Sequence, residues 1–359
     1  MTEVRAPGLL GEDTAALIES AIHARFQRRT AQAGRYGQDF SDLWSTMGTH
    51  IVGGKLLRPR LFVDMADSLA GSPLADRELL IDLSAAIEML HFAFLLHDDV
   101  IDRDFRRRQN VNLLGAVRDS HPAPDSAAAR QWGTAAGVLT GDLMIAEVHQ
   151  IFARAPVEET IRLRLLDLLD CTIQESVCGE QADVGLSLGA VETTLTASLS
   201  MTQYKTATYS FEFPLRSAAI VAGADAGTES ELAAVAKHMG TAYQLQDDLL
   251  SAFGEATLHG KDPWSDFREG KQTPLIAYAR TTEAWSQIAQ HLGRESPTDE
   301  QLHELRGLLS NCGAEPFVRN LLNEHLRALN TLLSPPSALS ASARTVLTWH
   351  TATMEGRTH

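Results

Sequence analysis

The chain has few cysteines and fewer basic than acidic residues. Each of these shortages argues against a class of protein. Three cysteines in 359 residues, Cys171, Cys178 and Cys312, cannot all pair, and nothing near them has the spacing of metal ligands. This argues against a disulfide-built domain and favours a reducing, cytoplasmic setting. The formal net charge of −15 argues against nucleic acid as the main partner.

Strand patterns, signal sequences and membrane-spanning runs are also missing. Alternating Val, Ile and Thr between turns is nearly absent, which excludes most β architectures. The stretch from Met1 to Ala16 lacks a basic start and an apolar core, so we expect no signal peptide. The apolar stretch Ala85–Leu96 is interrupted by Glu88 and His91 and is too short to cross a bilayer. We therefore expect a soluble protein.

Helical periodicity is present along most of the chain and predicts an all-α fold. Clusters of Gly, Pro, Ser and Asp separate the periodic segments. We expect helices over roughly 13–30, 59–70, 79–102, 133–153, 157–185, 192–222, 229–253, 273–291, 299–310, 316–333 and 340–355.

Two acidic clusters in apolar surroundings are the most informative feature. Asp98-Asp99-Val100-Ile101-Asp102 ends a nearly apolar run, and Asp247-Asp248-Leu249-Leu250-Ser251 follows about 149 positions later. On a helix, Asp98 and Asp102 share a face, and like charges that close need a compensating cation. Magnesium often takes one or two carboxylates together with substrate phosphates. Two such clusters on facing helices would bind a magnesium-bound diphosphate.

Basic residues accompany the clusters, although each has a plainer interpretation when taken alone. Gly53–Pro59 contains Lys55 and Arg58, which could bind an anion or be solvated at a turn that enters a helix. The run Arg106–Arg108 is either a solvated patch or a phosphate clamp. His91 could be an ordinary core histidine, and Lys205 could be a side chain that extends from an apolar helix to water.

In this order and spacing, these segments resemble the trans-isoprenyl diphosphate synthases, the polyprenyl synthetase family. The resemblance covers roughly residues 50 to 290. Five blocks carry it: Gly53–Pro59, Glu88–Arg108, Gly141-Asp142, Lys205-Thr206 and Gly240–Lys271.

The resemblance implies a fold, a reaction and a metal. The fold would be an isoprenoid-synthase-type bundle of roughly ten or more helices around a deep central cavity. We expect a single domain over 1–359, with 1–12 and 334–359 peripheral. The reaction would be head-to-tail trans condensation of isopentenyl diphosphate with an allylic diphosphate. Three Mg²⁺ ions would take part, bound by Asp98, Asp102 and Asp247 with Asp99 and Asp248 in support.

The resemblance also implies roles for the other residues of the blocks. The residues matching the isopentenyl diphosphate site are Lys55, Arg58, His91 and Arg108. Those matching the allylic diphosphate site are Arg107, Lys205, Gln244, Lys261 and Lys271. Lys205, Thr206 and Gln244 match catalytic positions, of which Thr206 and Gln244 face the developing carbocation. Ala93 and Phe94 match positions that limit product length, and one small and one aromatic residue there favour the twenty-carbon geranylgeranyl diphosphate.

Three departures from the family pattern and several alternatives stay open. Ser251 stands where many members have aspartate, Gln109-Asn110-Val111 replaces Gly-x-Pro after the arginines, and Glu180 replaces a glutamine. The alternative products are farnesyl and longer polyprenyl diphosphates. The alternative functions are a non-catalytic regulatory subunit of a related synthase and a terpene cyclase. A homodimer is expected from the resemblance alone.

Overall fold

The computed structural model describes residues 12–71, 74, 76–107, 110–254, 265–294 and 298–355. The chain forms two compact units. Unit 1 comprises Met1–Asp167 and Ser217–Ala224, and unit 2 comprises Leu168–Arg216 and Asp225–His359. The first acidic motif belongs to unit 1 and the second to unit 2, so the expected cavity between them and the expected single domain stay predictions.

Within its described residues, unit 1 is helical apart from one pair of short antiparallel strands between its fourth and fifth helices. A 3₁₀ turn at Gly34–Tyr36 follows the first helix. The helices are α1 Glu12–Ala33, α2 Gln38–His50, α3 Leu57–Ala70, α4 Arg77–Ile101, α5 Leu113–Asp119 and α6 Ala127–Ala153. Helix α4 packs against α1, α3 and α6, and α5 packs against α6.

Helix α4 is the core of unit 1 because its sequence is apolar on nearly every side. Asp76 caps its first turn by accepting a hydrogen bond from the backbone N–H of Leu79 at 2.9 Å. Leu80, Leu83 and Ala86 are fully buried. By length and composition α4 could cross a membrane, but 72 % of its most apolar stretch is buried inside the protein. This burial identifies α4 as a core helix of unit 1.

Unit 2 is helical throughout its described residues. A boundary between the two units falls within helix α7, Glu159–Ser187, and another falls within helix α9, Phe213–Val221. The other helices of unit 2 are α8 Leu195–Thr202, α10 Ala226–Phe253, α11 Ser265–Arg268, α12 Pro274–Ala279, α13 Trp285–Ile288, α14 Asp299–Asn311, α15 Ala314–Leu332 and α16 Ala341–Glu355. Helix α10 packs against α15, and α12 packs against α8 and α15.

A π-helical segment, Gln203–Glu212, joins α8 to α9 and packs against α10. Its backbone hydrogen bonds span five residues instead of four, and such segments frequently mark functional sites. The sequence predicted one continuous helix over 192–222. The helical extent was correct, but the π-helical segment in its middle was not predicted.

The all-α fold class is confirmed, with local corrections. Helix α4 begins and ends within two residues of the predicted 79–102, and α10 begins three residues before the predicted 229–253. Helices α2, α5 and α11 were not predicted. The predicted helix 273–291 is instead α12, α13 and a 3₁₀ turn at Ala289–His291. Two-residue strands at Arg106–Arg107 and Asn110–Val111 were also missed.

Two histidines meet between α10 and α15. The Nδ1 atoms of His238 and His325 lie 2.9 Å apart, so the pair shares one proton. Burial and the neighbouring His238 lower the pKa of His325 to about 4. Burial and Lys237 also lower the pKa of His238. The folded pair therefore resists protonation at pH values where unfolded histidines accept protons.

The pair predicts a pH-dependent stability. Because the unfolded state binds more protons between about pH 6.5 and pH 4, stability falls as the pH falls through that window. We expect His325→Gln to flatten this dependence in urea unfolding measured across the window, and His303→Gln, at an exposed position of α14, to leave it unchanged. An unaltered slope in His325→Gln would contradict the assignment.

Candidate active site

The first acidic motif lies where the buried helix α4 ends. Asp99 is nearly fully buried, whereas 19 % of the Asp98 side chain is exposed. Asp102 caps the helix, and its backbone N–H donates to the carbonyl of Asp98 at 2.8 Å. Asp98 and Asp102 are therefore one helical turn apart, and both are partly exposed.

Arg107 forms ion pairs with this motif. Its Nη2 lies 2.8 Å from Oδ2 of Asp98 and 2.7 Å from Oδ1 of Asp99, and its Nε donates to the same Asp99 oxygen at 2.9 Å. Burial raises the pKa of Asp99 to about 6, although Arg107 draws it downwards. The two carboxylates in turn raise the pKa of Arg107. The arginine is thus the cation that the crowded carboxylates require.

A short hairpin presents Arg107 to the motif. Arg103 has a positive φ of 58°, which turns the chain back after α4. Arg107 then pairs with Asn110 and Arg106 with Val111 in antiparallel register. Asn112 ends the hairpin by donating to the carbonyl of Asp104 at 2.8 Å, while its Oδ1 caps α5 at Gly115 N.

The glycine-rich loop before α3 lies beside a buried acid of α4. Gly53 and Leu56 have positive φ values of 94° and 49°. Oε1 of Glu88 is 3.4 Å from the point that a Cβ on Gly54 would occupy. Burial raises the pKa of Glu88, and the nearby Arg58 opposes that rise. Glu88 Oε2 is buried and accepts no hydrogen bond from the described residues.

Glu88 is therefore a candidate site residue that the sequence analysis did not single out. It was noticed only as a polar interruption of an apolar run, and its relation to Arg58 depends on the path of the loop. Lys55 is exposed and Arg58 is half-buried on the same segment, while His91 is half-buried on α4.

The neighbouring turns of α4 hold the remaining predicted residues of unit 1. Ala93 is fully buried, and Phe94 is half-buried. His97 lies against α6, where its Nε2 is 3.5 Å from Oδ1 of Asp142. A Cβ on Gly141 would lie 2.2 Å from that Nε2, so only glycine lets α6 approach the ring this closely. These contacts with His97 explain why glycine and aspartate stand at positions 141 and 142.

In unit 2, Lys205 lies between two carboxylates of α7. Its Nζ is 2.6 Å from Oδ2 of Asp183 and 3.0 Å from Oε2 of Glu180. Glu180 is the residue that departs from the family's glutamine. Its carboxylate adds a second negative charge next to Lys205.

A chain of hydrogen bonds connects the π-helical segment to the second acidic motif. Thr206 Oγ1 donates to Oε1 of Gln244 at 2.9 Å, and Nε2 of Gln244 donates to Oδ1 of Asp248 at 2.8 Å. Asp248 is buried, Asp247 is half-buried and Ser251 is buried. The predicted residues Thr206, Gln244 and Asp248 thus form one connected group.

Two glycines allow the π-helical segment to fit between α7 and α10. A Cβ on Gly179 would lie 2.2 Å from the backbone nitrogen of Lys205. A Cβ on Gly240 would lie 2.3 Å from the Cβ of Ala207. Because real Cβ atoms do not approach so closely, the position of Lys205 and Thr206 depends on both glycines.

The remaining predicted residues are Lys271, Arg108 and Lys261. The Nζ of Lys271 lies 2.7 Å from Oε2 of Glu269. Arg108 and Lys261 lie outside the described residues, as does Gln109 of the altered loop.

The donor set of the first motif suits a hard divalent cation. Asp98 and Asp102 offer carboxylate oxygens one turn apart, and magnesium completes its coordination with water and phosphate oxygens. Within the described ranges, no three His, Cys, Asp or Glu side chains form a ready-made metal cluster. A site made of two carboxylates and a diphosphate needs no such cluster.

Comparison with known proteins finds relatives of one enzyme family. A family model described as polyprenyl synthetase matches residues 41–309. The (2E,6E)-farnesyl diphosphate synthase of Mycobacterium bovis is 28% identical over 268 residues, 72% of this chain and 67% of its own length. The geranylfarnesyl diphosphate synthase of Aeropyrum pernix is 26% identical over 311 residues, covering 85% and 92%.

A solved structure shares the fold. The geranylgeranyl pyrophosphate synthase of Corynebacterium glutamicum, complexed with isoprenyl diphosphate and magnesium, superimposes with a TM-score of 0.83. The two chains are 23% identical, and the match covers 95% of this chain and 98% of the other.

The close contact at Gly179 generates a prediction. Gly179→Ala should displace the backbone at Lys205 and destabilise the protein by about 1–3 kcal/mol, the usual cost of overpacking. Gly307→Ala in α14 is the matched control, because nothing lies within 4 Å of the added Cβ. Urea unfolding of both variants checks this expectation, and equal stabilities would contradict it.

Proposed function

The chain belongs to the polyprenyl synthetase family, and from this premise we propose that its product is the twenty-carbon geranylgeranyl diphosphate. It is a trans-prenyltransferase that condenses isopentenyl diphosphate with an allylic diphosphate, and it uses a divalent metal. The observation that carries the site assignment is the pairing of Arg107 with Asp98 and Asp99, because a cation already lies at the predicted cation site.

The acidic motifs would hold the metal. In this proposal Asp98 and Asp102 would hold two Mg²⁺ ions and Asp247 would hold the third, with Asp99 and Asp248 in support. When bound, the ions neutralise the diphosphate so that it can leave the allylic carbon.

Positive side chains would complete the neutralisation of the allylic diphosphate. The proposed contacts are Arg107, Lys205, Lys261 and Lys271, with Gln244 beside them. Arg107 and Lys205 are both paired with carboxylates. Arg107 contacts the first acidic motif and Lys205 contacts Glu180 and Asp183 of α7. In this proposal an incoming diphosphate would take over hydrogen bonds from both cations.

The second substrate, isopentenyl diphosphate, would bind to Lys55, Arg58, His91 and Arg108. Glu88 is proposed as a positioning residue, since its buried carboxylate lies near Arg58 and the glycine-rich loop. A buried acid here limits the directions in which the guanidinium can point.

After the diphosphate leaves, the allylic cation must be kept from water. Thr206 and Gln244 face it in this proposal, and their hydrogen bonds to each other and to Asp248 fix the orientation of both dipoles. The double bond of isopentenyl diphosphate attacks the cation, and a proton is then lost. The departed diphosphate is the proposed base.

Two other functions fit the site less well. A non-catalytic regulatory subunit would have no need for a complete first motif that is held by Arg107. A terpene cyclase needs no second diphosphate site, yet Lys55, Arg58 and His91 lie on the elements where that site is expected.

Product length is proposed from the α4 residues that precede the motif. Ala93 and Phe94 lie five and four residues before Asp98, about 6–8 Å along the axis by the helical rise. In this proposal the small side chain would let the growing product pass beside α4, and the aromatic one would obstruct it. The floor is therefore partial, which favours a twenty-carbon product over the fifteen-carbon farnesyl product or a much longer chain.

A homodimer in the cytoplasm is also proposed. Trp132 and Leu139 are 50% and 55% exposed on α6 and lie two turns apart, so they form an apolar stripe suited to a partner helix. The three cysteines are free, which fits a reducing compartment.

We expect light scattering to give twice the chain mass, and a monomer at working concentration would contradict the dimer.

Loss of a proposed metal ligand should abolish catalysis. Asp98→Ala should lower turnover by several orders of magnitude, because stabilisation of the leaving group is the main catalytic effect. Ser251→Asp, on the other motif, should change turnover only modestly. Steady-state kinetics with magnesium checks both, and a nearly active Asp98→Ala enzyme would show that the site is misassigned.

Product length is tested by enlarging the space beside α4. Phe94→Ala should lengthen the product if the ring forms the floor. Pure protein incubated with magnesium, isopentenyl diphosphate and each allylic primer would be analysed by mass spectrometry. A wild-type product other than twenty carbons would contradict the proposed length, and an unchanged product in the variant would mean that another residue forms the floor.

A further inference from the structure

A cavity of about 400 Å³ lies in unit 1, at the end of α4 opposite to the acidic motif. Its walls come from α1, the first turns of α4 and the last turns of α6. Leu83 on the wall precedes Asp98 by about 15 residues, or roughly 22 Å along the helix. The cavity is therefore separate from the carboxylates proposed to bind metal.

Four arginines line this cavity, which is unusual for a chain with a net charge of −15. They are Arg25, Arg28, Arg29 and Arg154. Two of them are balanced by acids of the same cavity. Nη2 of Arg25 is 3.5 Å from Oδ1 of Asp82, and Arg29 forms an ion pair with the buried Glu147.

The other two arginines carry the excess positive charge. Within the part of the chain that the structure describes, neither Arg28 nor Arg154 has a side-chain hydrogen bond or an ion pair. Arg28 is on α1 and Arg154 follows the last residue of α6, so two different elements bring their guanidinium groups to one cavity. Such an arrangement suits an anion that both can contact.

The floor of the cavity is apolar. Leu79 and Leu83 of α4 and Ile151 of α6 are buried there. A small inorganic anion uses only the charged rim, whereas an anion with a hydrocarbon tail also covers this floor.

We propose that this cavity binds a diphosphate group. Guanidinium groups hold phosphate oxygens through paired, charge-assisted hydrogen bonds. Two uncompensated arginines match an anion with at least two charges. Inorganic diphosphate and a short prenyl diphosphate share this chemistry, and both take part in the reaction proposed above, although binding at this cavity does not depend on that reaction.

Calorimetric titration of the full-length protein, freed of metal with EDTA, tests the proposal. Removing metal weakens diphosphate binding at the acidic motifs. The proposed isopentenyl diphosphate site needs no metal and still binds diphosphate, so only the binding that the double variant loses reports on the cavity. The ligands are inorganic diphosphate and geranyl diphosphate. The double variant Arg28→Gln/Arg154→Gln should bind each at least tenfold more weakly, since each arginine contributes a charge-assisted contact.

The matched control is Arg130→Gln, also on α6. The Arg130 guanidinium donates to the carbonyl of Asp125 at 2.8 Å and lies outside the cavity. Binding unchanged in Arg130→Gln and weakened in the double variant supports the proposal. Tighter binding of geranyl diphosphate than of inorganic diphosphate would show that the apolar floor also contacts the ligand. Equal binding would show that only the arginines contact it.

Two outcomes would overturn the inference: no binding of either ligand to the metal-free wild type, or equal binding by the wild type and the double variant. Prenyl transfer measured with magnesium on the same variant separates this result from the proposed function. We expect the double variant to keep wild-type turnover at low substrate concentration, because neither arginine belongs to the catalytic site.

Discussion

The crowding of three carboxylates at the end of one buried helix is the constraint on which unit 1 depends. Asp98, Asp99 and Asp102 fall within five positions, and Asp99 is nearly excluded from water. Burying an unbalanced charge is expensive, so a cation must be held against the motif even before any ligand arrives. The left-handed Arg103, the two-residue strands and Asn112 bring Arg107 into that position.

In unit 2 the partly buried charge is positive, and carboxylates balance it. Here a lysine projects from a π-helical segment and is balanced by Asp183 and Glu180 of α7. The segment can approach α7 and α10 closely only because Gly179 and Gly240 have no side chains. Charge balance and close backbone packing therefore act together, since the lysine reaches its partners only when the two glycines admit its backbone.

The sequence predicted what depends on strong local patterns. Helix α4 was predicted to within two residues because its apolar run continues over several turns. The Asp76 cap at its start was seen only in the structure. Gly141 was noted only as part of a block, and its reason, the approach of His97, needs tertiary contacts. Glu88 was passed over because a single acid in an apolar run has no spacing signal. The hairpin strands are too short for alternation to appear.

The π-helical segment also affects how the sequence can be compared with others. A helical wheel drawn at 3.6 residues per turn assumes one constant angle between successive side chains. Across Gln203–Glu212 the turn is wider, so the angle is smaller and the wheel loses phase. Positions on α9 projected from α8 would be assigned to the wrong face. A sequence alignment across this segment can therefore pair the correct residues. A structure built from it as a regular α-helix would still turn the side chains of α9 to the wrong side of the helix.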